Sequence, residues 1–167
     1  MSEYRVRVER NKLKFAAAHM ATFEGQCEPL HGHNYAVTIE VSGTLTEDSW
    51  VIDFAALKSA GKAICDELDH KFLLQRDSRL LEIDEGMSNW KVRFRERGFV
   101  FPKSDVLPLP LDNTTAERLA EWFAGRLRDG LRARGATNLS SLTVGMEEAP
   151  GQAGWCTIEE RGARSEE

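Results

Sequence analysis

Near the start of the chain, Leu13, Phe15, Ala17 and His19 occupy every second position, and so do His31, His33, Tyr35, Val37, Ile39 and Val41. A period of two puts each set on one face of an extended strand, so the pattern predicts two strands whose inward faces carry histidines at one end. After Val51-Ile52 the period lengthens. Phe54, Leu57, Ile64 and Leu68 recur at helical spacing behind Asp53, a side chain suited to N-capping. Thr114-Thr115-Ala116-Glu117 reads as a capping box that opens a second helix. Its stripe is Ala116, Leu119, Ala120, Phe123 and Leu127, and Gly135 lies past its end. Alternation returns in two closing strands, roughly 141–148 and 153–159.

Between the helices lies a long segment, 72–113. Trp90, Val92 and Phe94 alternate there, as do Phe99 and Phe101, with 95–98 as the turn; Pro108 and Pro110 break the connection that follows. The segment therefore reads as an inserted β-hairpin. The whole predicts an α+β domain over residues 1–160, an antiparallel sheet with two helices on one face, and a polar tail at 161–167.

Composition narrows the function. A chain of 167 residues with 41% hydrophobic content can bury a proper core. No apolar run approaches membrane-spanning length and the opening residues are charged, so a cytoplasmic protein with no membrane partner is expected. Cys27, Cys65 and Cys156 are odd in number and unrelated in spacing, which argues against a disulfide framework. A net charge of -5 weighs against nucleic acid as a partner, while an anionic small molecule would need a local cluster of cations.

The histidines carry the chemistry. His31 and His33 flank Gly32 in a C-x₃-H-G-H string that begins at Cys27, and with His19 on the neighbouring strand the rings can converge on one ion. Neutral imidazole suits zinc, and three histidines leave one tetrahedral corner open. Gly32 removes a side chain where ligands would crowd. Cys27 has two readings: a fourth ligand closing a structural site, or a free thiol beside an open one, where it would act as a general base. Thiolate-bearing structural sites usually contain two or more cysteines, which favours the second. Asp69 next to His70 would hold the imidazole in one tautomer as a proton shuttle, although such pairs also simply end helices. Glu148 shares parity with Val144 and Met146, so a carboxylate continues an apolar face, and a buried one would suit a guanidine-like edge with two N–H donors. Glu117 is accounted for by the capping box.

These strings resemble the 6-pyruvoyltetrahydropterin synthase / 6-carboxytetrahydropterin synthase family: Phe15-Ala16-Ala17-Ala18-His19, Cys27 through His33-Asn34-Tyr35, Val51-Ile52-Asp53-Phe54, Asp69-His70-Lys71, Thr115-Ala116-Glu117 and Glu148-Ala149-Pro150, in family order. The resemblance implies that His19, His31 and His33 bind Zn²⁺, that Cys27 abstracts protons, and that Asp69 and His70 complete the acid/base set. It implies that Glu148 holds the pterin's amino-pyrimidinone edge, with Thr115 nearby. It further implies a tunnelling fold (T-fold) and a homo-oligomer, a trimer or a hexamer of two trimers, with active sites at subunit interfaces. The implied substrate is 7,8-dihydroneopterin triphosphate. The expected product is 6-carboxy-5,6,7,8-tetrahydropterin, with loss of triphosphate and acetaldehyde, on the route to queuosine and other deazapurines. The 6-pyruvoyl product and folate-type cleavage to 6-hydroxymethyl-7,8-dihydropterin are the alternatives.

The chain departs from the family pattern in two places. The 72–113 segment is longer than in compact members. At the pterin-holding carboxylate, Glu148 is followed by Ala149 where the family usually has threonine, and is preceded by a second acid, Glu147. Parity favours Glu148. Glu28 beside Cys27 also bears on the chemistry, because some relatives place a glutamate at the catalytic position and cleave the side chain for folate synthesis. A zinc or pterin-binding protein without turnover is the non-enzymatic alternative; it requires Cys27 to be a metal ligand.

Overall fold

The computed structural model describes residues 2–160, so the expected tail at 161–167 lies outside the described residues. Strand β1 (Tyr4–His19) runs antiparallel to β4 (His31–Gly43), with the short pair β2 (Thr22–Phe23) and β3 (Gln26–Cys27) between them in sequence. Helix α1 (Phe54–Leu68), β5 (Lys71–Gln75), β6 (Glu82–Glu85), β7 (Asn89–Phe94), β8 (Arg97–Pro102) and β9 (Val106–Leu109) follow. Helix α2 (Ala116–Ala133), β10 (Leu139–Ala149) and β11 (Gln152–Glu159) close the chain. Among the described residues no helix is long and apolar enough to cross a membrane.

The main sheet has the order β11-β10-β4-β1-β5-β9. Its β11-β10-β4-β1 part is antiparallel as the alternation predicts, but β5 and β9 add in parallel, so the sheet is mixed. Parallel neighbours need a crossover, and the inserted segment is that crossover between β5 and β9. Phe72-Leu73-Leu74 is apolar without alternation because β5 is covered on both faces: Leu73 joins the core under the helices, while Phe72 and Leu74 face the insertion.

Asp53 caps α1 as expected, accepting from the N–H groups of Ala55 and Ala56. Phe54 is nonetheless 52% exposed, and the buried stripe runs through Leu57, Ala60, Ile64, Cys65 and Leu68 instead. In α2 the cap sits one residue later than predicted. Thr115, not Thr114, is the N-cap, its hydroxyl accepting from Arg118 N–H, so no capping box forms with Glu117. The helix ends as predicted, with Gly135 at φ +88° and the N–H groups of Gly135 and Ala136 returned to the carbonyls of Arg132 and Leu131. Both helices pack on one face of the sheet, where Phe123, Leu119, Ile39 and Val144 are almost wholly buried. Each such side chain contributes on the order of 1.5–3 kcal/mol.

The insertion is larger and tighter than a hairpin with a four-residue turn. It is a three-stranded sheet, β6-β7-β8, whose β7–β8 register leaves only Arg95 and Glu96 in the turn. Trp90, Val92 and Phe94 pack with Met20, Cys27, Phe72 and Leu74 into a second core on the side of β5 away from the helices. Pro108 sits within β9, an edge strand, where a missing N–H costs no ladder bond.

Candidate metal centre and active site

The β1–β4 register places His19 directly opposite His31 and Ala17 opposite His33. Because the three histidines share the parity of the core residues of their strands, their rings emerge on the helix side of the sheet. One ring nitrogen from each lies within 4.8 Å of the others. Cys27 is not among these converging ligand groups.

His19 is almost fully buried, and its Nδ1 lies 2.9 Å from the carbonyl oxygen of Thr114 and 3.3 Å from its hydroxyl. Thr114 is held in turn, its N–H and O–H both donating to Gln75 Oε1, while Gln75 Nε2 donates to the Thr22 hydroxyl. This buried network fixes the ring so that Nε2 carries the lone pair. That Nε2 is buried and has no protein partner. Burial pushes the His19 pKa down to about 4, against the Thr114 hydrogen bond, which favours the charged form. The ring is therefore neutral at pH 7, as a metal ligand must be.

His31 is oriented the same way, Nδ1 lying 2.8 Å from the carbonyl of Pro29. Its Nε2 is 3.1 Å from Nε2 of His33. Tetrahedral zinc with bonds of about 2.0–2.1 Å separates its ligand atoms by roughly 3.3 Å, close to the His31–His33 spacing, and the His19 ligand nitrogen lies within 4.8 Å of both. The predicted role of Gly32 is different in the structure. A Cβ there would lie 3.0 Å from the Ala17 carbonyl, on the opposite face from the ligands. Close approach of the β1 backbone explains this glycine, not ligand crowding.

A cavity of about 530 Å³ opens beside the histidines and is lined also by Glu28, Thr115, Glu117 and Glu148. Glu28 Oε2 is 3.8 Å from His31 Nε2. Glu148 falls where the β10–β11 register shifts, between Glu147 and Ala149, and it is Glu148 that reaches the cavity, in line with its parity. Burial raises its pKa, and the neighbouring carboxylates of Glu28 and Glu117 push the same way while His33 and His31 oppose. Glu117, released from the capping box, lines the cavity, where the sequence pattern accounts for it only as a helix-capping residue. Thr114 and Gln75 were also missed; the one signal was a polar glutamine ending the apolar run of β5.

Three residues expected at the site, Cys27, Asp69 and His70, do not line this cavity. Cys27 packs in the second core with Met20, Phe72 and Trp90, and burial raises its pKa, with Arg97 opposing. Asp69 and His70 pair as expected, Asp69 Oδ2 lying 2.9 Å from His70 Nδ1, but they open on the sheet face of Ala16, Ala18, Gly32 and Asn34. Asp69 is anchored by the Ala16 N–H at 2.8 Å, the main reason its carboxyl titrates below the ordinary range. His70 adopts φ +58°, and its side chain is 82% exposed.

Residues 8–160 match the family described as 6-pyruvoyl tetrahydropterin synthase. The chain belongs to this family. It is 33% identical over 141 residues to a putative 6-carboxy-5,6,7,8-tetrahydropterin synthase of Methanocaldococcus jannaschii, covering 84% of this chain and 86% of that one. It is 30% identical over 123 residues to the 6-carboxy-5,6,7,8-tetrahydropterin synthase of Haemophilus influenzae, covering 70% and 79%. The crystal structure of Plasmodium vivax 6-pyruvoyl tetrahydropterin synthase superposes with a TM-score of 0.91 at 28% identity, over 96% of this chain and 100% of that one. That protein has also been solved with a catalytic glutamate replaced by alanine and by cysteine. The mixed sheet with two helices on one face is thus the T-fold that the motifs implied, and the chain is an enzyme of the tetrahydropterin synthase type.

Proposed function

We propose that this enzyme converts 7,8-dihydroneopterin triphosphate to 6-carboxy-5,6,7,8-tetrahydropterin with a zinc ion held by His19, His31 and His33. The observation that carries the reading is the buried, unpartnered Nε2 of His19, fixed by Thr114 and aimed where the other two imidazoles converge. Bound there, zinc supplies a Lewis acid that polarises the substrate's side-chain oxygens and acidifies the adjoining C–H positions. The names of the curated relatives support the carboxy product.

The chain's own residues divide the remaining work. Glu148 and Glu117 accept N–H donors from the pterin's amino-pyrimidinone edge, with the Thr115 hydroxyl alongside. Glu28, the carboxylate 3.8 Å from His31, accepts and returns the side-chain proton, taking the place expected for Cys27. The Asp69-His70 pair is preorganised yet open, which suits service in the cavity of a neighbouring copy within a trimer or hexamer. The proposed substrate fits a cytoplasmic enzyme of deazapurine synthesis.

The position of Glu28 favours one second reading, folate-type cleavage to 6-hydroxymethyl-7,8-dihydropterin, which the family resemblance associates with a glutamate at the catalytic position; the P. vivax synthase likewise has a catalytic glutamate. Incubation with 7,8-dihydroneopterin triphosphate and mass spectrometry of the products tests both. Carboxypterin with acetaldehyde supports the first reading, hydroxymethylpterin the second, and an unconsumed substrate in zinc-loaded protein refutes both.

A further inference from the structure

Arg97 opens β8 directly after the turn of the inserted sheet and reaches back to a segment about 70 residues earlier in the chain. Its Nη1 donates to the carbonyl of Cys27 and its Nη2 to the carbonyl of Glu28, each at 2.9 Å. Arg95 adds a longer contact, 3.3 Å, to the carbonyl of Gly25. The Arg97 guanidinium also sits over the Phe99 ring, 5.6 Å from its centroid. A planar fork that binds two successive carbonyls fixes the orientation of the peptide plane between them, which a single point charge cannot do.

Backbone pairing of that segment is sparse. The β2–β3 ladder has only the pairs Thr22–Cys27 and Phe23–Gln26, with one further bond from Glu28 N–H to the Ala21 carbonyl. In extended chain, adjacent side chains point to opposite sides. Here Cys27 faces the second core and Glu28 faces the histidine cavity. Rotation of the 27–28 peptide would move the carboxylate away from the histidines and loosen the thiol from its apolar packing.

We propose that Arg97 is a positioning residue of the active site: its clamp on both carbonyls holds the Cys27–Glu28 backbone so that the Glu28 carboxylate is aimed at the metal centre. The inserted sheet then belongs to the catalytic apparatus. The inference rests on the reading of Glu28 given above, so its test uses one measurement that does not depend on turnover.

The experiment compares Arg97→Met and Arg97→Lys with the wild type, all as full-length, zinc-loaded protein in a Cys156→Ser background. Kinetics with 7,8-dihydroneopterin triphosphate are read beside the rate at which Ellman's reagent labels Cys27, located by peptide mass spectrometry; Cys65 is fully buried. For Arg97→Met, kcat falls about tenfold to a hundredfold with KM and zinc content close to wild type, and Cys27 labels several-fold faster. Arg97→Lys, with one donor head, lies between, and it carries both readouts if the methionine variant does not fold. Unchanged labelling, or unchanged kcat, overturns the proposal. A wild type that leaves the pterin unconsumed overturns the functional reading instead, and labelling alone then decides the clamp.

Discussion

Adjacent residues Cys27 and Glu28 give a sharp test, because the structure sends them to different environments. Glu28→Gln keeps the shape of the side chain but removes the proton-accepting charge 3.8 Å from His31. A general base contributes about 10²–10⁴ in rate, roughly 3–5 kcal/mol of barrier, so kcat falls by that factor while zinc content and melting temperature hold. Cys27→Ala removes one heavy atom from the cluster of Met20, Phe72 and Trp90. By analogy with deletion of one buried methyl, this costs about 1 kcal/mol. In a chain of this size that lowers Tm by roughly 2–4 °C, with kcat within about twofold of wild type. Steady-state turnover followed by chromatography of the pterins, zinc by mass spectrometry and calorimetry supply the three readings. A folded, zinc-loaded Cys27→Ala protein that loses turnover, beside a Glu28→Gln protein that keeps it, would refute the assignment and return the base role to the thiol.

In chelator-treated protein, His19 makes stability depend on acid. Its folded pKa of about 4 lies below the ordinary 6.5, so between these values the unfolded chain binds a proton that the folded chain does not. Its contribution is present above pH 6.5 and is lost as pH falls toward 4, by up to roughly 3 kcal/mol; denaturant titrations show this as a slope that His19→Gln lacks, and equal slopes would contradict it. Gly154→Ala tests the other wall of the cavity, because a Cβ there would come within 2.5 Å of Glu117 N and 2.7 Å of the Ala116 carbonyl carbon. Overpacking against helix backbone costs about 1–3 kcal/mol and shifts Thr115 and Glu117, so both a lower Tm and a raised KM are expected; wild-type values for both would show that the first turn of α2 yields freely.

The period-two patterns of 13–19 and 31–41 determined the strands and put the three histidines on inward faces, since alternation is a property of the backbone alone. Asp53 and Gly135 likewise marked helix ends through local chemistry, and the parity of Glu148 pointed to the cavity it lines. Tertiary structure decided the rest. The parallel addition of β5 and β9 depends on how the crossover packs, and an apolar run covered on both faces carries no period to reveal it. Thr115 rather than Thr114 caps α2 because Thr114 is bound into the Gln75 network behind His19, a partnership between residues far apart in the chain. Which of Cys27 and Glu28 faces the metal centre is set by a second core and by two carbonyls held from the inserted sheet, and such long-range contacts leave no mark on the local pattern of residues.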